Sequence, residues 1–163
     1  MRIAGIIKNS VVNGVGIRDV IFTQGCVHKC KECHNPETWD FNGGVEYGVL
    51  KLYHLFENSN NNLTISGGEP MFQLVELLQL LRIFHRNTNK TVWIYTGYEF
   101  SDISFETWEM LANLNVEVVV DGKFEVDKKD LTLEFRGSSN QRIIDLKKTV
   151  EYGEVILWEN SMK

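Results

Sequence analysis

Residues 63–86 read LTISGGEPMFQLVELLQLLRIFHR, and the fold of the chain turns on how this stretch is read. "LTIS" at 63–66 is a short apolar and β-branched run that stops at a Gly-Gly pair, as strands do. "FQLVELLQLLRIFHR" at 72–86 then carries apolar residues at helical spacing, and Phe72, Val75, Leu78 and Leu81 predict its buried face. Pro70 suits the first turn of that helix, and Glu69 suits the positive end of its dipole. The stretch is a strand, a two-glycine turn and a helix.

The same order recurs on both sides. "DVIFT" at 19–23, "TVWIYT" at 91–96 and "VEVVV" at 116–120 read as strands closed by turn formers, while "YGVLKLYHLFE" at 47–57 and "FETWEMLANL" at 105–114 read as helices. Repeated strand-then-helix units imply a mostly parallel sheet. A closed eight-unit barrel takes about 250 residues, so 163 residues predict an α/β fold with an open, partial (βα) barrel. A hydrophobic fraction of 43%, with nine Phe, four Trp and five Tyr, is enough for one core, and one domain over 1–163 is expected. "ENSNNN" at 57–62 reads as a solvated loop. From Asp121 to Lys148 the charges hide any period until "RIID" at 142–145, which with "EVILWE" at 154–159 suggests two late strands.

A net charge of -5 argues against a nucleic-acid or anionic-membrane surface, which needs clustered Lys and Arg, and leaves a protein or small molecule as partner. No apolar run approaches the roughly 18 residues of a membrane span. The opening "MRIAGIIKNS" turns polar too soon for a signal peptide, so a cytoplasmic location is expected. In that reducing setting clustered cysteines more often mean metal than disulfide.

All three cysteines stand in "FTQGCVHKCKECHNPETW" at 22–39, as Cys26, Cys30 and Cys33 at C-x3-C-x2-C spacing. Three is one short of the usual structural zinc or complete iron–sulfur ligand set. One reading recruits His28 or His34 to make a Cys3His zinc-binding interaction domain, and Cys30 with Cys33 alone would suit a redox pair. Another is a [4Fe–4S] cluster held by three thiolates with one iron open, as a catalytic metal site keeps a position for its substrate. Gly67, Gly68 and Glu69 lie at the C-terminal end of the next strand, where βα folds bind ligands. There the glycines permit close backbone approach and the carboxylate suits a cationic amine.

With these residues the chain resembles the radical S-adenosylmethionine (SAM) enzymes, whose cluster loop has the C-x3-C-x2-C form and whose Gly-Gly-Glu motif matches 67–69. More narrowly it is similar to the anaerobic ribonucleoside-triphosphate reductase-activating proteins, through "VVNGVGIRDVIFTQGC" leading into "HKCKECHNPETW", then "YTGY" at 95–98, "VVVDGKF" at 118–124 and "RGSSNQRIID" at 136–145. The resemblance implies a partial barrel of the radical SAM type and a [4Fe–4S] cluster on Cys26, Cys30 and Cys33. It implies reductive cleavage of SAM, with an external one-electron donor, and abstraction of a glycine α-hydrogen from the anaerobic reductase to leave a glycyl radical. An activase of another glycyl-radical enzyme is the neighbouring reading, although such relatives often carry additional four-cysteine clusters for which this chain has no cysteines.

SAM contacts are implied for Gly67, Gly68, Glu69, Thr96 and Gly97. Where many relatives place an adenine-stacking aromatic before the third cysteine this chain has Glu32, which leaves His34 or the backbone at Cys33 for adenine; where activators often carry Pro it has Lys123. Asn13, Gly14, Gly16 and Arg18 read either as a backbone run close to the cluster or as a connecting turn. Asp121 reads as a pocket residue or as half of an Asp-Gly turn, and His54 and His85 as structural.

Overall fold

Apolar side chains on both faces make the centre of the sheet, as expected of parallel strands covered on two sides. In a computed structural model, which describes residues 1–159, β1 (Arg2–Ser10), β2 (Arg18–Thr23), β3 (Val45–Glu46), β4 (Asn62–Gly67), β5 (Val92–Tyr95), β6 (Val116–Asp121) and β7 (Arg142–Asp145) form one sheet in the order β3-β1-β2-β4-β5-β6-β7. The strands β2, β4, β5 and β6 are parallel neighbours; β1 runs antiparallel to β2 and to β3, and β7 antiparallel to β6. Five of the seven strands therefore point one way. The outermost strands β3 and β7 do not pair with each other, so the sheet is open.

The helices α1 (Val49–His54), α2 (Leu74–Asn87), α3 (Phe105–Asn113) and α4 (Leu146–Tyr152) connect or follow these strands. Leu52, Leu77, Leu80, Leu81, Phe84, Trp108, Leu111 and Leu146 pack with Ile21, Ile65 and Ile94 of the strands into one large core, each fully buried leucine contributing about 1.5–3 kcal/mol of transfer free energy. On the opposite face Trp93, Val118 and Val120 are covered by Val15, Phe135 and Trp158 in place of helices. Among the described residues no helix is long and apolar enough to cross a membrane.

Several expectations need correction. In α2 the buried stripe is Leu77, Leu80, Leu81 and Phe84, while Phe72 is 44% and Val75 68% exposed. A 3-10 turn at Pro70–Gln73 precedes the helix and puts Phe72 out of register, and apolar residues around most of α2 offered the periodicity more than one stripe. "EVILWE" forms no strand; Leu157 makes a single bridge to Ile144. β1 and α4 carried no expectation, α4 because Lys147, Lys148 and Glu151 interrupt its apolar period. The Asn13–Gly16 turn leads into β2 from the end remote from the cysteine loop, and a side chain at Gly14 would meet Arg18 and Trp93 at 2.8 and 2.9 Å, so the close approach is to the core and not to a cluster.

Candidate functional site

The cysteine loop leaves the C-terminal end of β2 and is clasped at its base. Gly25 N donates to Thr38 O at 2.7 Å and Cys26 N to Trp39 O at 3.2 Å, while the Gln24 amide donates to Glu37 O and Asp40 O at 3.0 and 2.7 Å. Within the loop Lys29 and Glu32 adopt positive φ of 45° and 56°, a conformation costly for residues with a side chain and concentrated at functional turns. The turn after β4 is tied to the same base, Gly68 N donating to Thr23 O and Glu69 N to Gly25 O, both at 2.8 Å. Gly67 has φ of +99°, and a side chain at Gly68 would run into the Gly25 carbonyl, so both glycines are required by the joint.

All three cysteines are free thiols, Cys26 buried and Cys30 and Cys33 partly so. Burial pushes the Cys26 and Cys30 thiols up from the ordinary range; backbone N–H groups of His28 and Lys29 oppose this at Cys26, and that of Phe124 at Cys30, where the Lys123 charge adds its pull. Asn35 N lies 3.4 Å from Cys33 Sγ and completes a set of N–H donors aimed at sulfur. Such a set favours thiolate, and a coordinated metal would deprotonate the thiols outright. Among the described residues no three His, Cys, Asp or Glu side chains converge on one point as a single ion would need. Three free thiols in one loop, with backbone N–H groups donating to them, are the donor set that a cluster with one thiolate per iron would use.

Of the two histidines that could serve zinc, one is hydrogen-bonded through a ring nitrogen and the other is packed against a phenyl ring. His28 Nε2 lies 2.9 Å from Glu69 Oε2, and His34 packs against Phe124 with ring centroids 5.0 Å apart. Glu32, 55% exposed, sits 3.8 Å from Lys129.

Glu69 is 0% exposed and gathers the turns. Its Oε1 accepts from Met71 N at 3.0 Å and Thr96 Oγ1 at 2.8 Å; its Oε2 accepts from Gly97 N at 2.8 Å as well as from His28. Thr96 and Gly97, expected beside Glu69 in a ligand pocket, thus meet its carboxylate directly. An open pocket of about 400 Å³ flanks the other side of the loop, lined by Cys26, Val27, Lys29, Trp39 and Phe41.

Asp121 does not join this group. It is 1% exposed, pairs with Arg142 and accepts from Phe100 N at 2.8 Å, tying β6 to β7. The "RGSSNQR" segment closes the same connection. Gln141 Oε1 accepts from Gly137 N and Ser138 N, Gln141 Nε2 donates to Gly122 O, and Asn140 donates to Lys123 O. The clip holds Phe124 and Gly137 against His34 beside the cysteine loop. Gln24, Thr38 and Phe124, which support that loop, carried no expectation; the only sequence signal was their place in or next to the quoted motifs. His54 pairs on the surface with Glu57 at 2.9 Å, and His85 is exposed.

A loop of three free thiols joined to a glycine turn at the end of parallel strands defines an iron–sulfur type of site, and residues 12–144 match the family model described as a 4Fe-4S single cluster domain. The chain is 33% identical over 142 residues to the anaerobic ribonucleoside-triphosphate reductase-activating protein of Pasteurella multocida, covering 82% of this chain and 90% of that one. It is 34% identical to the Escherichia coli protein of the same name (84% and 94% covered) and 36% identical to that of Enterobacteria phage T4 (81% and 86%). The chain belongs to the family of anaerobic ribonucleoside-triphosphate reductase-activating proteins.

Proposed function

We propose that this chain is a radical SAM activase with a partial barrel of that type, which installs a glycyl radical on an anaerobic ribonucleoside-triphosphate reductase. Cys26, Cys30 and Cys33 hold a [4Fe–4S] cluster through three irons. Gly67, Gly68 and the backbone at Glu69, with the turn at Thr96 and Gly97, cradle the aminocarboxylate end of SAM; the Glu69 carboxylate, filled by Met71, Thr96, Gly97 and His28, shapes that cradle from behind instead of meeting the amine itself. Glu32, Cys33 and His34 border the adenine. Such a cluster, reduced by an external one-electron donor, would supply reductive cleavage of SAM to methionine and a 5′-deoxyadenosyl radical, which would abstract the α-hydrogen of a reductase glycine to give 5′-deoxyadenosine and the glycyl radical.

The observation that carries this reading is the backbone joint between the cysteine loop and the Gly-Gly-Glu turn, at Gly68 N to Thr23 O and Glu69 N to Gly25 O. It brings a thiolate set and a glycine-lined turn to the same end of β2 and β4, the end at which βα folds bind ligands. An open sheet leaves an approach for a loop of another protein. The setting is the cytoplasm, where SAM and reductant are both at hand.

Electron paramagnetic resonance tests it. Anaerobically reconstituted protein, given SAM, reductant and a cognate reductase, is expected to produce a glycyl doublet, with methionine and 5′-deoxyadenosine in amounts matching the radical. Deuterated glycine in the reductase should collapse the doublet and move deuterium into 5′-deoxyadenosine. SAM cleavage without a reductase radical would redirect the reading to another glycyl-radical enzyme, and stoichiometric zinc without sulfide would remove it.

A further inference from the structure

A carboxylate offers about four lone-pair positions, and Glu69 has four donors on it. Met71 N belongs to its own turn, while Thr96 Oγ1 and Gly97 N belong to the turn after β5. The fourth, His28 Nε2–H, comes from the cysteine loop, between Cys26 and Cys30. The oxygen that His28 meets already accepts from Gly97 N, and the imidazole takes the donor role beside it in the tautomer that carries its proton on Nε2.

The ring sits in a fitted slot. Its side chain is 6% exposed, the Tyr98 ring meets it edge-on with centroids 4.8 Å apart, and any side chain at Gly97 would run into it. Nothing in this packing serves the sheet core, whose large cluster is built from other residues. The slot serves to bring one atom of the cysteine loop onto one oxygen of Glu69.

We propose that His28 is a positioning residue whose hydrogen bond to Glu69 fixes the Cys26–Cys30 segment against the Gly-Gly-Glu turn, and so sets the orientation of the thiolates relative to the ligand cradle. The inference rests on the function proposed above. It makes Glu69 a hub that aligns three turns, with its oxygens already filled. Without His28 the loop would still be clasped at its base by Thr38 and Trp39, but its far arm would be free to swing.

Two variants of the full chain test this, His28→Ala and His28→Gln, the latter carrying an amide N–H in place of Nε2–H. Each is reconstituted anaerobically, and three quantities are read: iron and sulfide per chain, SAM affinity by equilibrium dialysis, and the change in the spectrum of the reduced cluster on adding SAM. His28→Ala is expected to keep its iron yet bind SAM about tenfold more weakly, with about a hundredfold as the ceiling reached if the whole of that hydrogen bond is felt at the cradle. Its SAM-dependent spectral change should be altered, and His28→Gln should restore most of both.

Unchanged SAM affinity in iron-replete His28→Ala overturns the proposal, since a merely structural histidine lowers the unfolding midpoint and leaves the affinity alone. Loss of iron in His28→Ala also overturns it, by making His28 part of what holds the cluster, and so does failure of His28→Gln to rescue. If the unsubstituted chain binds no SAM, the proposed function falls first and takes this inference with it, a result told apart by its appearing before any substitution is made.

Discussion

At the N-terminal end of the parallel strands Arg18 is 1% exposed, and at their C-terminal end Glu69 is 0% exposed. Arg18 donates to Thr64 Oγ1 and Leu63 O at 2.8 Å and to Val15 O and Thr91 O at 3.2 Å, lies 3.7 Å from Glu117 and stacks over Trp93. Burial pulls its guanidinium down to about 10, against the opposing pull of Glu117 and Tyr95, and it stays charged at neutral pH. These partners belong to β4, β5, β6, the residue that leads into β5 or the turn before β2, so the arginine locks strand ends together. Glu69 is equally buried, but its partners lie on turns, one of them the cysteine loop. Burial and a displaced pKa are thus poor guides to function on their own; what separates the two ends is that the turn end also carries three free thiols that accept from backbone N–H groups and form no disulfide.

Cysteine loss should give the largest contrast between the ends. Cys26→Ala is expected to abolish cluster binding, from about four irons per chain to background, while shifting the stability of the cluster-free chain by only about 1 kcal/mol or less for so small a truncation. Iron analysis with urea unfolding of the cluster-free protein checks both numbers. A large loss of stability would mean that the thiol end is as structural as the arginine end.

Arg18→Ala should do the reverse. It removes a buried donor from Thr64 Oγ1, which keeps only its bond to Asn13 O, and from the Leu63 and Val15 carbonyls, and it leaves partly exposed Glu117 without its ion pair, so about 3–4 kcal/mol of stability should go, in the range for breaking a buried charge network. Iron bound per folded chain should hold. If the folded fraction loses its cluster, the two ends are coupled and the comparison fails.

Arg142→Ala is the mildest of the three. Asp121 keeps Phe100 N, and the Arg142 side chain is already 40% exposed, so water replaces part of what is lost and about 2 kcal/mol is expected. Urea unfolding of parent and variant at neutral pH checks the number. A loss near zero would mean that β7 is held by its pairing with β6 alone and that the ion pair adds nothing.

The sequence by itself determined the parts of this protein that are written in neighbouring residues. Strand runs at 19–23, 63–66, 91–96 and 116–120 and helical periods at 47–57, 72–86 and 105–114 are local patterns, and α/β elements in that order leave few alternatives to a mostly parallel sheet. The spacing of Cys26, Cys30 and Cys33 and the Gly-Gly break were legible for the same reason. Tertiary structure decided which stripe of α2 is buried, because the sheet selects one from several apolar faces. It decided that β1 and β7 flank the parallel centre antiparallel, since pairing partners are not encoded within either strand. It also decided the fate of single polar residues: Glu69 is joined to His28, 41 positions away, and to Thr96, 27 away, and Asp121 is taken by Arg142. A carboxylate has several possible partners in sequence, and only the packing of turns against one another removes water from all but those that fit.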